Sequence, residues 1–135
     1  MMNGGFLDVN VNGLMTATYN KTPGTNVPAA GVGGAGWALT YLAQSSTDAV
    51  TSTDDTVYGH VLWLGGTSTN STTNLTSGVL TTVEAKALDD KIDDGKANSG
   101  RMVAENDTGS CIDATPVYNV SVSGKVCSLV FKTGY

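Results

Sequence analysis

One stretch of the chain carries both a start and a stop signal for a helix, and it constrains the fold more than any other. In Thr81-Thr82-Val83-Glu84 the first threonine and the glutamate are spaced as a capping box. In that motif the hydroxyl accepts an amide hydrogen bond three residues on, and the carboxylate reaches back to the cap. Gly95 closes the run Leu88-Asp89-Asp90-Lys91-Ile92-Asp93-Asp94-Gly95, since glycine takes the left-handed conformation that ends helices at little steric cost. Between these signals Ala85, Leu88 and Ile92 fall in one stripe, widened by Val83 and Ala87, with Lys86, Asp89, Asp90 and Asp93 on the opposite arc. The pattern predicts an amphipathic helix that turns its aliphatic stripe to a core and ends in an acidic turn.

The segments after the turn read as the surface on which such a helix packs. Residues 100–104, 116–123 and 125–132 predict three strands. The second alternates Tyr118, Val120 and Val122 with Asn119, Ser121 and Ser123, and Ser123-Gly124 predicts a tight hairpin into the third. Upstream, residues 6–12 alternate as a strand would, and residues 57–64 form an apolar run short enough for a buried strand or two helical turns. Residues 36–43 fit both periods, and their lack of Val and Ile favours a helix. Residues 67–77, rich in Ser, Thr and Asn, predict an exposed loop. With 135 residues, 40% of them apolar, the chain supports one core. The expected architecture is therefore a single domain over residues 1–135, of α+β class, with short helices packed on an antiparallel sheet of about four strands.

Charge and cysteine content narrow the function. Only 14% of residues are charged and the net charge is −5, so the clustered Lys and Arg that drive nucleic-acid binding are missing and no nucleic acid is expected as a partner. Cys111 and Cys127, with fifteen residues between them, suit a disulfide in an oxidising compartment, the alternative being two buried thiols in the cytosol. A bridge closing such a loop contributes about 3 kcal/mol on the chain-entropy account. No segment reaches the roughly 20 apolar residues of a membrane span. Met1-Met2-Asn3-Gly4-Gly5 shows no export signal, which leads us to expect either an engineered start or a chain whose signal lies elsewhere.

Taken in order, Glu84, Ala85, Leu88-Asp89-Asp90-Lys91-Ile92-Asp93-Asp94-Gly95, Gly100, Val103-Ala104, Cys111, Tyr118 and Cys127 resemble the carboxyl-terminal region of type IV pilin-like and type II secretion pseudopilin-like subunits. The resemblance implies a globular head in which an acidic turn precedes an antiparallel sheet closed by a terminal disulfide. It further implies a non-enzymatic subunit of a homo-oligomeric filament outside the cytoplasmic membrane, on the cell surface or in a periplasmic pseudopilus. Val83, Ala87, Leu88, Ile92, Asp93, Asp94 and Gly95 would then contribute to subunit packing. Members of that family carry a long apolar amino-terminal helix, and these residues contain none. The resemblance therefore points to a truncated subunit, or to a separate hydrophobic helix chain as partner, with the membrane reached only through that helix.

Other chemistry finds weaker footing. Asp90 to Arg101 fails the EF-hand pattern, because Ile92 holds the third position and Arg101 stands where the bidentate Glu belongs. Calcium binding through another constellation stays open under the resemblance. Gly31-Val32-Gly33-Gly34-Ala35-Gly36 lacks the Lys-Ser/Thr ending of a phosphate loop. Asp54-Asp55 lies in a polar stretch rather than in a recognisable pair across a cleft, and His60, the single histidine, has no nucleophile elbow beside it. No catalytic residue and no cofactor is expected. Trp37, Tyr41, Tyr58 and Trp63 could form an aromatic platform for sugars, which makes a secreted carbohydrate-binding or adhesin module the competing reading. Asn-x-Ser/Thr sequons begin at Asn20, Asn70, Asn74, Asn106 and Asn119.

Overall fold

The computed structural model describes residues 21–42, 59–67, 74–106, 110–113 and 117–134. The predicted strand at 6–12, the sequons at Asn20 and Asn70, the Asp54-Asp55 pair and Tyr58 lie outside these residues, as does most of the 67–77 loop.

Among the described residues six elements follow one another: β1 (Gly36–Leu42), β2 (Gly59–Gly65), β3 (Leu80–Thr81), α1 (Thr82–Ile92), β4 (Met102–Asn106) and β5 (Lys125–Lys132). The five strands form one antiparallel sheet around β5. Val130 of β5 pairs with Trp63 of β2 and Val103 of β4, and Cys127 pairs with Leu80 of β3 and Asn106 of β4. It follows that β2 and β3 share one edge of β5, one after the other, and β4 takes the opposite edge. β1 extends the sheet beyond β2. Among the described residues the outcome is mostly sheet with one helix, so the expected layering of short helices on an antiparallel sheet is present in part, with a single helix and five strands rather than about four.

The register sorts side chains into two cores. Because neighbours in a sheet share a face, Leu64, Leu129 and Ala104 align on one side, and Ala38, Trp63, Val130 and Val103 on the other. The first set joins Met102, Cys127, Ala85 of α1 and Tyr118 in a core beneath the helix. The second joins Leu42, Val61 and Leu75 in a separate core behind the sheet. A sheet buried on both faces selects strands without clean polar alternation. This accounts for the misleading sequence of residues 36–43. Of these, residues 36–42 form a strand rather than the favoured helix, because Ala38 and Leu42 enter the rear core while pairing with β2 decides the backbone.

The helix begins as its signals require. Thr81 Oγ1 accepts the Glu84 amide at 3.2 Å, and Glu84 accepts the Thr81 amide at 2.9 Å. The Thr81 amide, and then the Thr81 hydroxyl, donate to the exposed Glu84 carboxylate and hold it below the usual carboxylate range. The buried face of α1, however, is Thr82, Ala85 and Asp89, with Leu88 half-buried, whereas Val83 and Ile92 are 58% and 54% exposed and Ala87 is exposed. The helix is thus rotated away from the expected stripe, and Asp89, expected on the solvated arc, is fully buried. Two polar anchors set the rotation. Thr82 Oγ1 donates to Val122 O at 3.1 Å, and Tyr118 donates its hydroxyl proton to Asp89 at 2.8 Å.

Residues 117–123 also depart from expectation. Where a strand was predicted they make an isolated Ile112–Tyr118 bridge and then turns, so Ser123-Gly124 is not a strand-to-strand hairpin. Asn119 donates its amide to Cys111 O and accepts from the Val122 amide, and such local bonds compete with a ladder. Residues 125–132 form β5 as predicted, and 100–104 overlap β4.

Candidate functional site

Two surfaces stand out, an acidic turn at the end of α1 and an apolar strip on the sheet. The turn is built from three carboxylates, and each tethers the chain. Asp89 Oδ1 accepts the Gly95 amide at 3.2 Å while its other oxygen accepts from Tyr118. Asp93 Oδ2 accepts the amides of Arg101 and Met102, the latter at 2.7 Å, and so joins the helix end to the start of β4. Asp94 accepts the Lys96 amide at 2.9 Å and the Ser99 hydroxyl at 2.7 Å. Gly95 and Gly100 both have positive φ, 73° and 78°. A Cβ on Gly100 would fall 2.1 Å from Asp93 Oδ2. The glycine is therefore needed for conformation and for close approach alike.

Electrostatics in the turn follow from burial. Desolvation raises the Asp89 carboxyl above its ordinary value, against the Tyr118 hydroxyl and Gly95 amide bonds that lower it. Burial, then the bond to Asp89, raises the Tyr118 phenol far above its ordinary value, so it remains a donor. The Ser99 hydroxyl leads the effects that hold Asp94 low. One oxygen from each of Asp89, Asp93 and Asp94 lies within 4.8 Å of the others. Each of the three carboxylates is already engaged in closing the turn. The cluster is thus a hydrogen-bonded clamp between α1, β4 and the 117–122 turns.

Cys111 and Cys127 are joined, S–S 2.02 Å, and both are fully buried. The bridge ties the residue-111 loop to β5 beneath the helix, beside Tyr118. A disulfide points to an oxidising, non-cytoplasmic setting. Among the described residues no helix is long and apolar enough to cross a membrane.

The second surface lies on the helix side of the sheet, past the reach of α1. Trp37, Leu39 and Tyr41 of β1 share this face with His60 and Leu62 of β2 and Phe131 of β5. Leu39 is 65% exposed and Tyr41 61%, His60 is exposed, and Trp37, Leu62 and Phe131 are half-buried. Trp37 tilts against Phe131 at 6.0 Å, and Tyr41 meets the His60 ring edge-on at 5.4 Å. Helix α1 spans only ~16 Å at 1.5 Å per residue and lies over β3 and β5. Among the described residues, α1 therefore does not cover the part of this face formed by Leu39, Tyr41, His60 and Leu62, whereas Leu64 is buried in the core beneath the helix.

The expected sugar platform is divided by the sheet. Trp63 is fully buried on the rear face, its Nε1 donating to Thr40 Oγ1 at 2.8 Å, so of the described members of that set Trp37 and Tyr41 share the open face. Of the residues assigned to subunit packing, Val83, Ala87, Ile92 and Asp94 are exposed, while Leu88, Asp93 and Gly95 are half-buried. Sequence reasoning missed the Asp89–Tyr118 pair. Its signal was present, since Thr82, Ala85 and Asp89 recur at helical spacing, but a buried carboxylate was not admitted to the core face.

Comparisons with models of protein families, with characterised proteins and with solved structures find no match for this chain.

Proposed function

We propose that this chain is the globular head of a subunit in an extracellular type IV pilus-like or pseudopilus filament. In this reading, the open sheet face receives a hydrophobic helix, supplied by the same subunit or by a separate chain. The observation that carries the reading is the strip of Trp37, Leu39, Tyr41, Leu62 and Phe131. It continues the face on which α1 already packs and leaves two large residues of β1 more than half exposed. A contiguous apolar patch of this kind, rather than scattered exposed residues, marks an interaction surface. The outward Val83, Ala87 and Ile92 of α1 and the Asp93–Gly95 turn would contact neighbouring subunits. The disulfide supports a head that keeps its shape outside the reducing cytoplasm.

The test is assembly in cells that make the filament. Leu39→Asp should leave the isolated head folded and abolish its incorporation, since a carboxylate would be forced against an apolar helix. Normal incorporation of that variant would overturn the reading. Binding of the wild-type head to glycans, lost in Trp37→Ala with folding intact, would instead favour the carbohydrate-binding alternative.

A further inference from the structure

The sequons whose asparagine side chains the structure describes, Asn74 and Asn119, stand in opposite situations. Asn74 is 2% exposed, within the part of the chain that carries Leu75 into the rear core. A saccharide on it could not coexist with that core. Asn119 lies in the turn after the Ile112–Tyr118 bridge, half-buried, and the next two residues are exposed, Val120 by 57%. Ser121 donates its hydroxyl to Asn119 Oδ1 at 2.5 Å, and the Val122 amide donates to Asn119 O at 3.1 Å. The acceptor amide and the hydroxyl two residues on, which together define an N-glycosylation signal, are thereby presented on one tight surface turn.

We propose that Asn119 is an N-glycosylation acceptor of the folded chain, modified by a saccharide carried on a polyprenyl phosphate or pyrophosphate. Asn119 Nδ2 attacks the anomeric carbon of the carrier-bound sugar. A C–N bond forms, the C–O bond to phosphate breaks, the phosphate leaves with the electron pair, and the amide proton passes to a base of the transferase. No oxidant or reductant is required. Two further observations point the same way. The Cys111–Cys127 bridge, whose Cys111 accepts the Asn119 amide through its backbone oxygen, belongs to the compartments where such transfer occurs. Val117 and Val120, 52% and 57% exposed on either side of Asn119, are apolar surface that a saccharide at this position would cover.

The experiment takes the full chain, folded and oxidised, with a tail bearing an accessible sequon added as an internal control. It is incubated with purified oligosaccharyltransferase and polyprenyl-linked oligosaccharide, then read by intact mass and glycopeptide mapping. The expected result is a glycan at Asn119 in most chains, lost in Asn119→Gln and in Ser121→Ala, retained in Ser121→Thr, and absent from Asn74. Unchanged melting of the variants before the reaction separates loss of the acceptor from loss of fold. A modified tail beside a bare Asn119, or a glycan at Asn74 of chains that still melt as the folded protein, would overturn the proposal. Neither outcome bears on the filament reading, which rests on the sheet face.

Discussion

Replacing Tyr118 with Phe removes one oxygen and nothing else from the core beneath α1, which makes it a sharp test of how the acidic turn is held. The Tyr118 hydroxyl donates to Asp89 at 2.8 Å, and Asp89 is fully buried. In the variant that carboxylate keeps only the 3.2 Å bond from the Gly95 amide. A hydrogen bond to a charged group is worth about 1.5–3 kcal/mol, and an abandoned buried partner adds its own desolvation cost, so a loss of about 2 kcal/mol is expected at neutral pH. With an m-value of about 2 kcal/mol per molar, this is a fall of roughly 1 M in the urea midpoint. The pH dependence fixes the cause. Burial raises the folded-state pKa of Asp89 above its ordinary 3.8. The group's stabilising contribution is therefore full below the unfolded value and is lost as pH rises through the folded one. Losing the Tyr118 bond, which acts to lower that pKa, raises it further in the variant. The gap between wild type and variant should be widest above the raised pKa and narrow as the pH falls toward 3.8, where Asp89 is protonated in both. Urea titrations of the disulfide-intact proteins across that range measure it. A gap below about 0.5 kcal/mol at neutral pH, smaller than even an ordinary neutral hydrogen bond, would refute the argument, as would a gap that does not change with pH.

Three further outcomes are expected. Cys111→Ser or Cys127→Ser should each cost about 3 kcal/mol under oxidising conditions, read as a lower denaturation midpoint that wild type reproduces on reduction; unchanged melting in both would remove the disulfide from the account. Gly100→Ala, which forces a side chain into positive φ against Asp93, should cost at least about 1 kcal/mol, and Gly33→Ala, with no atom near its added Cβ, should not. Thr81→Ala removes the cap of α1 and should lower stability by about 1 kcal/mol, with loss of helical ellipticity preceding loss of the sheet signal in a thermal scan.

What could be read in the sequence was whatever local chemistry decides. The capping box at Thr81 and Glu84 is satisfied within a few residues, so the start of α1 was legible, whereas the helix ends at Ile92 with Asp93 as its cap, ahead of the positive-φ Gly95 expected to stop it. β5 was legible too, its apolar run being long enough for pairing on both edges. Rotation of the helix was not, because Val83, Ala87 and Ile92 offer only modest apolar area and the Thr82–Val122 and Asp89–Tyr118 bonds outweigh it. Tertiary pairing overrode local preference in β1, whose Leu39 and Tyr41 look like core residues in sequence and lie on an open face in the structure. The alternation at 117–122 was real but was spent elsewhere. Tyr118 was drawn to Asp89 while Asn119 and Ser121 bonded locally. The open strip itself was illegible, since it depends on α1 being too short to cover Leu39, Tyr41, His60 and Leu62.

The central claim is that this open sheet face lies against a hydrophobic helix inside a filament. Electron cryomicroscopy of filaments from the producing cells, with mass spectrometry of the same preparation, tests it most directly. The account predicts peptides of this chain in the filament and helical density running across Trp37, Leu39, Tyr41 and Leu62. Filaments that lack the chain, or that contain it with this face turned to solvent, would contradict it.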